Sequence, residues 1–191
     1  MWPGDTEFQN FWVMRMDRGD SCNVGSVTMS LHTGTHADAP LHFVPDGGTP
    51  VDSELDPYIG PALVVDVGSV DAIQSEHAQA AVEVGAKRIL FRTGTAQPNR
   101  WNSDFAFFSP GAAQVLIESH VLLVGIDTPS IDSSNSKTLD SHKLFASGNV
   151  ALLENLVLDH VIPGPYELIA LPLKLVGMDA SPVRAILRSY D

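Results

Sequence analysis

Short runs of apolar residues alternate with polar, turn-rich stretches along the chain, and four of these runs have the character of buried strands. They are rich in aliphatic and β-branched residues and are bounded by Gly, Pro or Asp, which is typical of the interior of a sheet. The four predicted strands are Ala62–Val67, Arg88–Thr93, Val121–Ile126 and Tyr166–Leu171.

Three other stretches have helical signals. The first runs from Ser75 to Val84, with a serine as its candidate cap and Gly85 as its stop. The second begins after Ser109, because the proline that follows suits the first position of a helix. The third covers Asp140–Ala146. Since the predicted strands outnumber the helices, we expect an α/β fold with a β-rich mixed sheet and a few flanking helices in a single domain.

Composition and charge narrow the class of function. The chain has 191 residues, of which 44% are hydrophobic and 18% are charged, as in ordinary globular proteins. Eleven basic side chains against 23 acidic ones give a formal net charge of −12, which argues against binding to nucleic acid or to an anionic membrane surface. No apolar run approaches the ~20 residues of a membrane span, and residues 1–7 lack the pattern of a signal peptide. With a single cysteine, Cys22, and hence no internal disulfide, we expect a cytoplasmic protein.

Residues 32–42, HTGTHADAPLH, carry the strongest chemical signal. Three of the seven histidines and one aspartate fall within this segment, all at even offsets, so an extended chain would present them on one face. A helix is the poorer interpretation, because Thr-Gly-Thr is a weak helix core and Pro40 would break the next turn. The four residues are His32, His36, Asp38 and His42.

The spacing of the first two histidines adds a constraint. A straight strand at ~3.3 Å per residue would hold His32 and His36 about 13 Å apart, too far to share one metal ion. Gly34 lies between them and would permit a bend or a left-handed turn that brings the imidazoles together. Two imidazoles with a carboxylate and no cysteine suit Zn²⁺ or Mn²⁺ in an open catalytic site. The alternative is a polar loop with exposed histidines.

These motifs resemble those of the metal-dependent cyclase-like hydrolase family. The segment HTGTHADAPLHF, residues 32–43, matches the family signature HxGTHxDxPxHF. The later motifs are more similar to those of the bacterial kynurenine formamidases, the arylformamidase branch of that family. The other matching segments are WPGDT (2–6), GIDTPSID (125–132), LLENLVLD (152–159), YELIALPL (166–173) and DASPVRAILR (179–188).

The resemblance implies a two-metal centre in a swivelling β/α/β-like domain. One ion would be held by His32, His36 and Asp38. Asp38 would bridge to a second ion, completed by His142 and Glu154. Zn²⁺ is the expected metal and Mn²⁺ the alternative. Without the resemblance, His142 would be interpreted as a surface histidine. Glu154 interrupts an apolar run, and a buried carboxylate needs a cationic partner.

The resemblance also implies roles for two further residues. His42 would be the acid–base residue, although the residues alone leave open that it is another ligand or a structural histidine. Trp2 would line the substrate pocket, where its indole can stack on an aryl ring. Family members have one more strand-length segment before this tryptophan, so we expect one metal-dependent hydrolase domain over residues 1–191 that lacks the first strand of the family.

The reaction that the resemblance implies is hydrolysis of N-formyl-L-kynurenine to L-kynurenine and formate in tryptophan degradation, by a homodimer. Two alternatives stay open. Another hydrolase of the same family would open a lactam such as isatin, or cleave a different amide, with the same metal motif. A non-catalytic metal-binding protein would bind the ion but show no chelator-sensitive hydrolysis.

Overall fold

The computed structural model describes residues 2–97 and 100–190. Its main sheet and its smaller sheets are built from strands β1 (Gln9–Met14), β2 (Val24–Thr28), β3 (His36–Asp38), β4 (Ile59–Gly68), β5 (Ala72–Ile73), β6 (Arg88–Thr93), β7 (Phe107–Phe108), β8 (Leu123–Ile126), β9 (Ala151–Glu154), β10 (Gly164–Ile169), β11 (Ala180–Pro182) and β12 (Ile186–Arg188). The helices are α1 (Ser75–Val82), α2 (Pro110–Glu118) and α3 (Asp140–Ser147).

Eight strands form one mixed sheet in the order β11-β3-β9-β8-β6-β4-β10-β12. The four central strands β4, β6, β8 and β9 are parallel, and the outer strands pair in the antiparallel sense. Parallel neighbours need a crossover connection, and α1, α2 and α3 lie in the three crossovers between the central strands. This arrangement confirms the predicted α/β class and mixed sheet. Within the described residues no helix is long and apolar enough to cross a membrane.

The local signals in the sequence account for the three helices and for four of the eight strands of the main sheet. The predicted strand Arg88–Thr93 is β6, and the other three predicted strands overlap β4, β8 and β10. The helix α2 begins where it was predicted, because the Ser109 hydroxyl accepts a hydrogen bond from the backbone N–H of Ala112 at 3.2 Å. The predicted helix over residues 75–84 ends earlier, at Val82, and its N-cap is Gln74 rather than Ser75, while Gly85 closes the turn that follows with φ +73°.

Hydrophobic side chains cover both faces of the central strands. On the helical face Phe108 packs edge-on against Phe91 and Phe145, with ring centroids 5.1 and 5.6 Å apart. On the opposite face Leu90 and Leu153 belong to a second buried cluster. The strands that carry the site described below are therefore held by packing on both of their faces.

The prediction of one extended strand through residues 32–42 is wrong outside its centre. Only His36–Asp38 is a strand, while His32 lies in the preceding turn and His42 in a short 3-10 turn, Pro40–His42. The predicted left-handed bend is confirmed, because Gly34 has φ +69°. The ring centroids of His32 and His36 are 4.8 Å apart. The bend, rather than a shared strand face, brings these imidazoles together.

The strands β1 and β2 form a separate antiparallel ribbon that the sequence analysis did not predict. Its side chains are apolar on both faces: Phe11, Trp12 and Val27 are 55%, 54% and 59% exposed. Two-stranded ribbons are marginally stable by themselves in water. Within the described part of the chain, this ribbon pairs with no other strand and exposes apolar side chains on both faces.

Candidate metal centre

The pairing of β3 with β9 places three of the predicted ligands side by side. His36 lies directly opposite Glu154 in the antiparallel register, and Asp38 follows two residues later on the same face. The Nε2 atom of His36 is 3.3 Å from Glu154 Oε2 and 3.4 Å from Asp38 Oδ1. All three side chains are buried. Two short strands thus gather an imidazole and two carboxylates that are far apart in the sequence.

His142 reaches the same cluster from the first turn of α3. Its Nε2 atom is 3.2 Å from Glu154 Oε1 and 3.4 Å from Asp38 Oδ2. Asp132 accepts hydrogen bonds from the backbone N–H of Ser141 at 3.1 Å and of His142 at 3.0 Å, and it also contacts Nδ1 of His142 at 2.7 Å. A carboxylate at a helix N-terminus is favourable. Asp132 therefore caps the helix and accepts a hydrogen bond from the Nδ1–H group of His142. The Nε2 atom of His142 is left free to act as a ligand.

The other cluster residues are oriented by the backbone. Nδ1 of His36 donates to the carbonyl oxygen of Gly34 at 2.8 Å, so its Nε2 also faces the carboxylates. The backbone N–H of Ile131 donates to Oε1 of Glu154 at 2.7 Å. Such partners behind a ligand fix the ring nitrogen or the oxygen that it presents to a metal.

His32 and His42 form the more exposed side of the cluster. Nδ1 of His32 is 3.2 Å from Asp38 Oδ1, and its Nε2 is 3.0 Å from Asp179 Oδ2. The same Asp179 oxygen lies 3.4 Å from Nδ1 of His42. The ligand atoms of His32, Asp38 and His42 lie within 4.8 Å of one another, as do those of His36, Asp38 and Glu154. Asp38 belongs to both groups, which is the position expected of a bridging carboxylate.

The close pairing shifts the ionisation of the buried groups. Burial disfavours a charged His36, but Asp38 and Glu154 outweigh this effect and raise the pKa of His36 to about 10. Burial likewise opposes the charge on His142, whose carboxylate neighbours, Asp132 first, raise its pKa well above the usual value. The imidazoles in turn outweigh burial and lower the pKa values of Asp38 and Glu154. In this cluster the ionised form of each buried carboxylate is stabilised by a nearby positive charge.

Three buried ligand atoms test whether the cluster suits a metal ion. Among the described residues, Nε2 of His36 and both oxygens of Asp38 are buried without a hydrogen-bond partner. Leaving a buried polar atom unsatisfied costs about 1–3 kcal/mol, more for a charged group, and a divalent cation would satisfy all three. Imidazole nitrogens with carboxylate oxygens are ligands that Zn²⁺ and Mn²⁺ accept. The residues present therefore fit a divalent metal.

A cavity of about 210 Å³ opens beside the cluster. Its lining includes His32, His42 and His142 of the cluster and also Trp2. The Trp2 indole packs edge-on against Trp101, with ring centroids 4.7 Å apart. Three of the predicted ligands (His32, His142 and Glu154), the predicted acid–base residue and the predicted aromatic residue thus line one space large enough for a small molecule.

Asp132 and Asp179 were not predicted as parts of the site. Asp132 ends the segment GIDTPSID and Asp179 begins DASPVRAILR, so both lie in motifs that carried the family resemblance. The motifs alone did not distinguish these aspartates from turn residues. Their role depends on the histidines that they contact, which only the folded chain brings near.

The chain is similar to known proteins over nearly its whole length. The family model described as "Putative cyclase" matches residues 1–133. The kynurenine formamidase of Delftia acidovorans (strain DSM 14801 / SPH-1) is 45% identical over 190 residues, which cover 99% of this chain and 91% of that protein. A solved structure described as a potential metal-dependent hydrolase with cyclase activity has a TM-score of 0.80 and 32% identity, covering 94% of this chain and 86% of that one. Isatin hydrolase A from Labrenzia aggregata, bound to benzyl benzoate, shares the fold with a TM-score of 0.80 at 24% identity, covering 97% of this chain and 84% of that one.

Proposed function

The chain belongs to the cyclase family, and we propose that it is a metal-dependent amidohydrolase that converts N-formyl-L-kynurenine to L-kynurenine and formate. The observation that carries this proposal is the buried cluster of His36, Asp38, His142 and Glu154, beside a cavity, in a chain 45% identical to a kynurenine formamidase. The lactam of the isatin hydrolases is the alternative substrate, but the likeness to the isatin hydrolase above extends to the fold alone.

In this proposal the cluster holds two divalent ions, Zn²⁺ or alternatively Mn²⁺. His32, His36 and Asp38 hold one ion, and Asp38, His142 and Glu154 hold the other. The ligand atoms of His36, Asp38 and Glu154 converge, as do those of His32, Asp38 and His42, and the unsatisfied oxygens of Asp38, which belongs to both groups, support a bridging role for this residue. When bound, such ions supply Lewis-acid chemistry: they lower the pKa of water to about 7 and polarise a carbonyl oxygen.

His42 is the proton carrier of the proposed reaction. The leaving group is an aryl amine, which departs well only if its nitrogen gains a proton. His42 lines the cavity, and imidazole can accept and return a proton near neutral pH. In the proposed sequence His42 takes the proton of the attacking water and delivers it to the amide nitrogen as the C–N bond breaks. Asp179, 3.4 Å from Nδ1 of His42, holds the ring in place.

The protein acts as a homodimer in this proposal. The ribbon of β1 and β2 exposes Phe11 on one face and Trp12 with Val27 on the other, and apolar surfaces of this kind mark protein interfaces. Sedimentation equilibrium would measure the assembly. We expect a dimer for the wild type and a monomer for the double variant Phe11→Ser, Trp12→Ser; a wild-type monomer would contradict this part of the proposal.

The proposed location is the cytoplasm. Cys22 is the single cysteine of the chain, and it is exposed as a free thiol, which suits a reducing compartment.

Elemental analysis of the purified protein, coupled to a formate-release assay, tests the proposed function. We expect about two divalent ions per chain and release of formate from N-formyl-L-kynurenine that chelation abolishes and metal restores. A preference for isatin would replace the formamidase by a lactam hydrolase. Bound metal without hydrolysis of either compound would indicate a metal-binding protein that is not an enzyme.

A further inference from the structure

The segment Trp2–Asp5 forms a tight turn whose two ends line the cavity beside the metal cluster. The backbone N–H of Asp5 donates to the carbonyl oxygen of Trp2 at 3.1 Å, and Gly4 has φ +97°. Proline in the second position and glycine with positive φ in the third are the features of a type II turn. Both Trp2 and Asp5 line the cavity. The sequence Trp-Pro-Gly-Asp therefore presents an aromatic ring and a carboxylate to the same space.

Packing against the body of the protein holds this turn in place. The Trp2 ring lies 4.7 Å from Trp101 and 6.2 Å from Phe105, in edge-on arrangements that are favourable for aromatic pairs. Phe105 is 5% exposed and anchors this group in the core. After the turn, the carbonyl oxygen of Thr6 accepts a hydrogen bond from the N–H of Ser30 at 3.2 Å, just before the metal-binding segment.

Asp5 is the carboxylate of this cavity that is free to meet a ligand. The other lining carboxylate, Glu154, is engaged by His142 and by the N–H of Ile131. Over residues 2–97 and 100–190, no side chain or backbone group donates a hydrogen bond to the Asp5 carboxylate. Neither lysine nor arginine occurs among the described residues that line the cavity. The described lining thus offers a carboxylate for a cationic group but neither a lysine nor an arginine for an anionic one.

We propose that Asp5 binds the ammonium group of the substrate while Trp2 contacts its aryl ring, so that the site selects aryl formamides that carry a primary amine. This inference rests on the proposed function and adds the feature of the substrate that is recognised. An ammonium–carboxylate pair gains strength in a cavity that is partly shielded from water. Because neither lysine nor arginine is among the described residues that line the cavity, and its histidines are engaged by the carboxylates of the cluster, we expect the α-carboxylate of the substrate to add little to recognition by side chains.

Three formamides separate these contributions when the metal-loaded protein hydrolyses them. They are N-formyl-L-kynurenine, its analogue without the carboxylate, and the analogue that has neither amine nor carboxylate. For the wild type we expect similar KM values for the first two and a KM at least about tenfold higher for the third. Asp5→Asn should raise KM about tenfold for the two amines, because a tenfold loss of affinity corresponds to one lost interaction of moderate strength. For these compounds kcat should stay within about threefold of the wild type. The kinetics of the third compound should not change.

Two further variants exclude a merely structural effect. Asp5→Glu retains the charge and should restore the preference for amines, whereas Glu7→Gln removes an exposed charge nearby that does not line the cavity and should change nothing. The inference is overturned if Asp5→Asn affects all three formamides equally, or none of them. Absence of formate release from all three by the metal-loaded wild type would instead overturn the proposed function together with this inference.

Discussion

Nδ1 of His142 lies 2.7 Å from Oδ2 of Asp132, and this contact determines which ring nitrogen faces the cluster of candidate metal ligands. The same carboxylate accepts the N–H groups of Ser141 and His142 at the start of α3. One aspartate therefore couples the position of a helix to the orientation of a candidate metal ligand. Without it, the ring could present either nitrogen and the helix could begin elsewhere.

Replacing Asp132 by asparagine should weaken metal binding by about 10–100-fold, the usual effect of losing a partner behind a metal-binding histidine. The amide can still accept a hydrogen bond but no longer stabilises the ring as a carboxylate does. Titration against a chelator of known affinity would measure the change. Asp140→Asn is the matched control, because it removes an exposed carboxylate from the first turn of the same helix. Equal affinities in the two variants would refute the role of Asp132.

His42→Ala should keep the metal and lose most of the turnover. Proton transfer by a positioned side chain contributes about 10²–10⁴-fold, and we expect kcat to fall within this range. Metal content and formate release should be measured on the same preparation. His160→Ala, which removes an exposed histidine that does not line the catalytic cavity, should retain full activity. Loss of one ion from His42→Ala would instead make His42 a ligand, as its place near His32 and Asp38 would permit.

Gly34→Ala should destabilise the fold by about 1–2 kcal/mol, the cost of a left-handed conformation for a residue with a Cβ atom. A methyl group there meets no atom within 4 Å, so the cost comes from the backbone rather than from a clash. Gly34→Asn should cost less, because asparagine tolerates this conformation. Urea unfolding would measure all of these changes. At Gly48 an added Cβ has an ordinary 3.7 Å contact with Asp52, so Gly48→Ala should stay within about 0.5 kcal/mol of the wild type. Equal losses at the two glycines would contradict the prediction.

Asp127 should make the protein less stable as the pH rises. Burial raises the pKa of Asp127 to about 6, although Thr93 donates hydrogen bonds to it from its backbone N–H and its hydroxyl. The folded protein holds this proton more tightly than the unfolded chain, so the stabilisation is full below about pH 4 and is lost as the pH rises through about 6.

Asparagine at position 127 removes this dependence. As the pH rises from 4 to 8, the free energy of unfolding of Asp127→Asn minus that of the wild type should increase by about 2–3 kcal/mol. Urea titrations of both proteins across this range would measure the difference. A difference that stays constant with pH would show that Asp127 does not titrate there.

Local signals predicted the elements whose stability is itself local. The apolar run Arg88–Thr93 is buried on both faces, and the cap at Ser109 depends on a contact with Ala112, three residues away. The bend at Gly34 was predictable for the same reason, since only the geometry of neighbouring residues demands it. These features follow from the chain within a few residues.

The missed features depend on distant partners. Asp179 acquires its role from His32, which lies 147 residues earlier, and no local pattern marks such a pair. The place of His42 depends on the 3-10 turn Pro40–His42, where alternation predicted a continued strand. The ribbon of β1 and β2 went unpredicted because its apolar residues are exposed, and the patterns used to find strands assume a buried face.

The position of β3 in the sheet has a consequence for biogenesis. This strand carries His36 and Asp38, but its two neighbours, β9 and β11, come from residues 151–154 and 180–182. Contacts between such distant segments form slowly, because a long loop must close before they are made. On the ribosome the histidine-rich segment therefore stays unpaired until its two neighbouring strands have been synthesised. We therefore expect the candidate metal ligands of this strand to reach their final arrangement late in the folding of the chain.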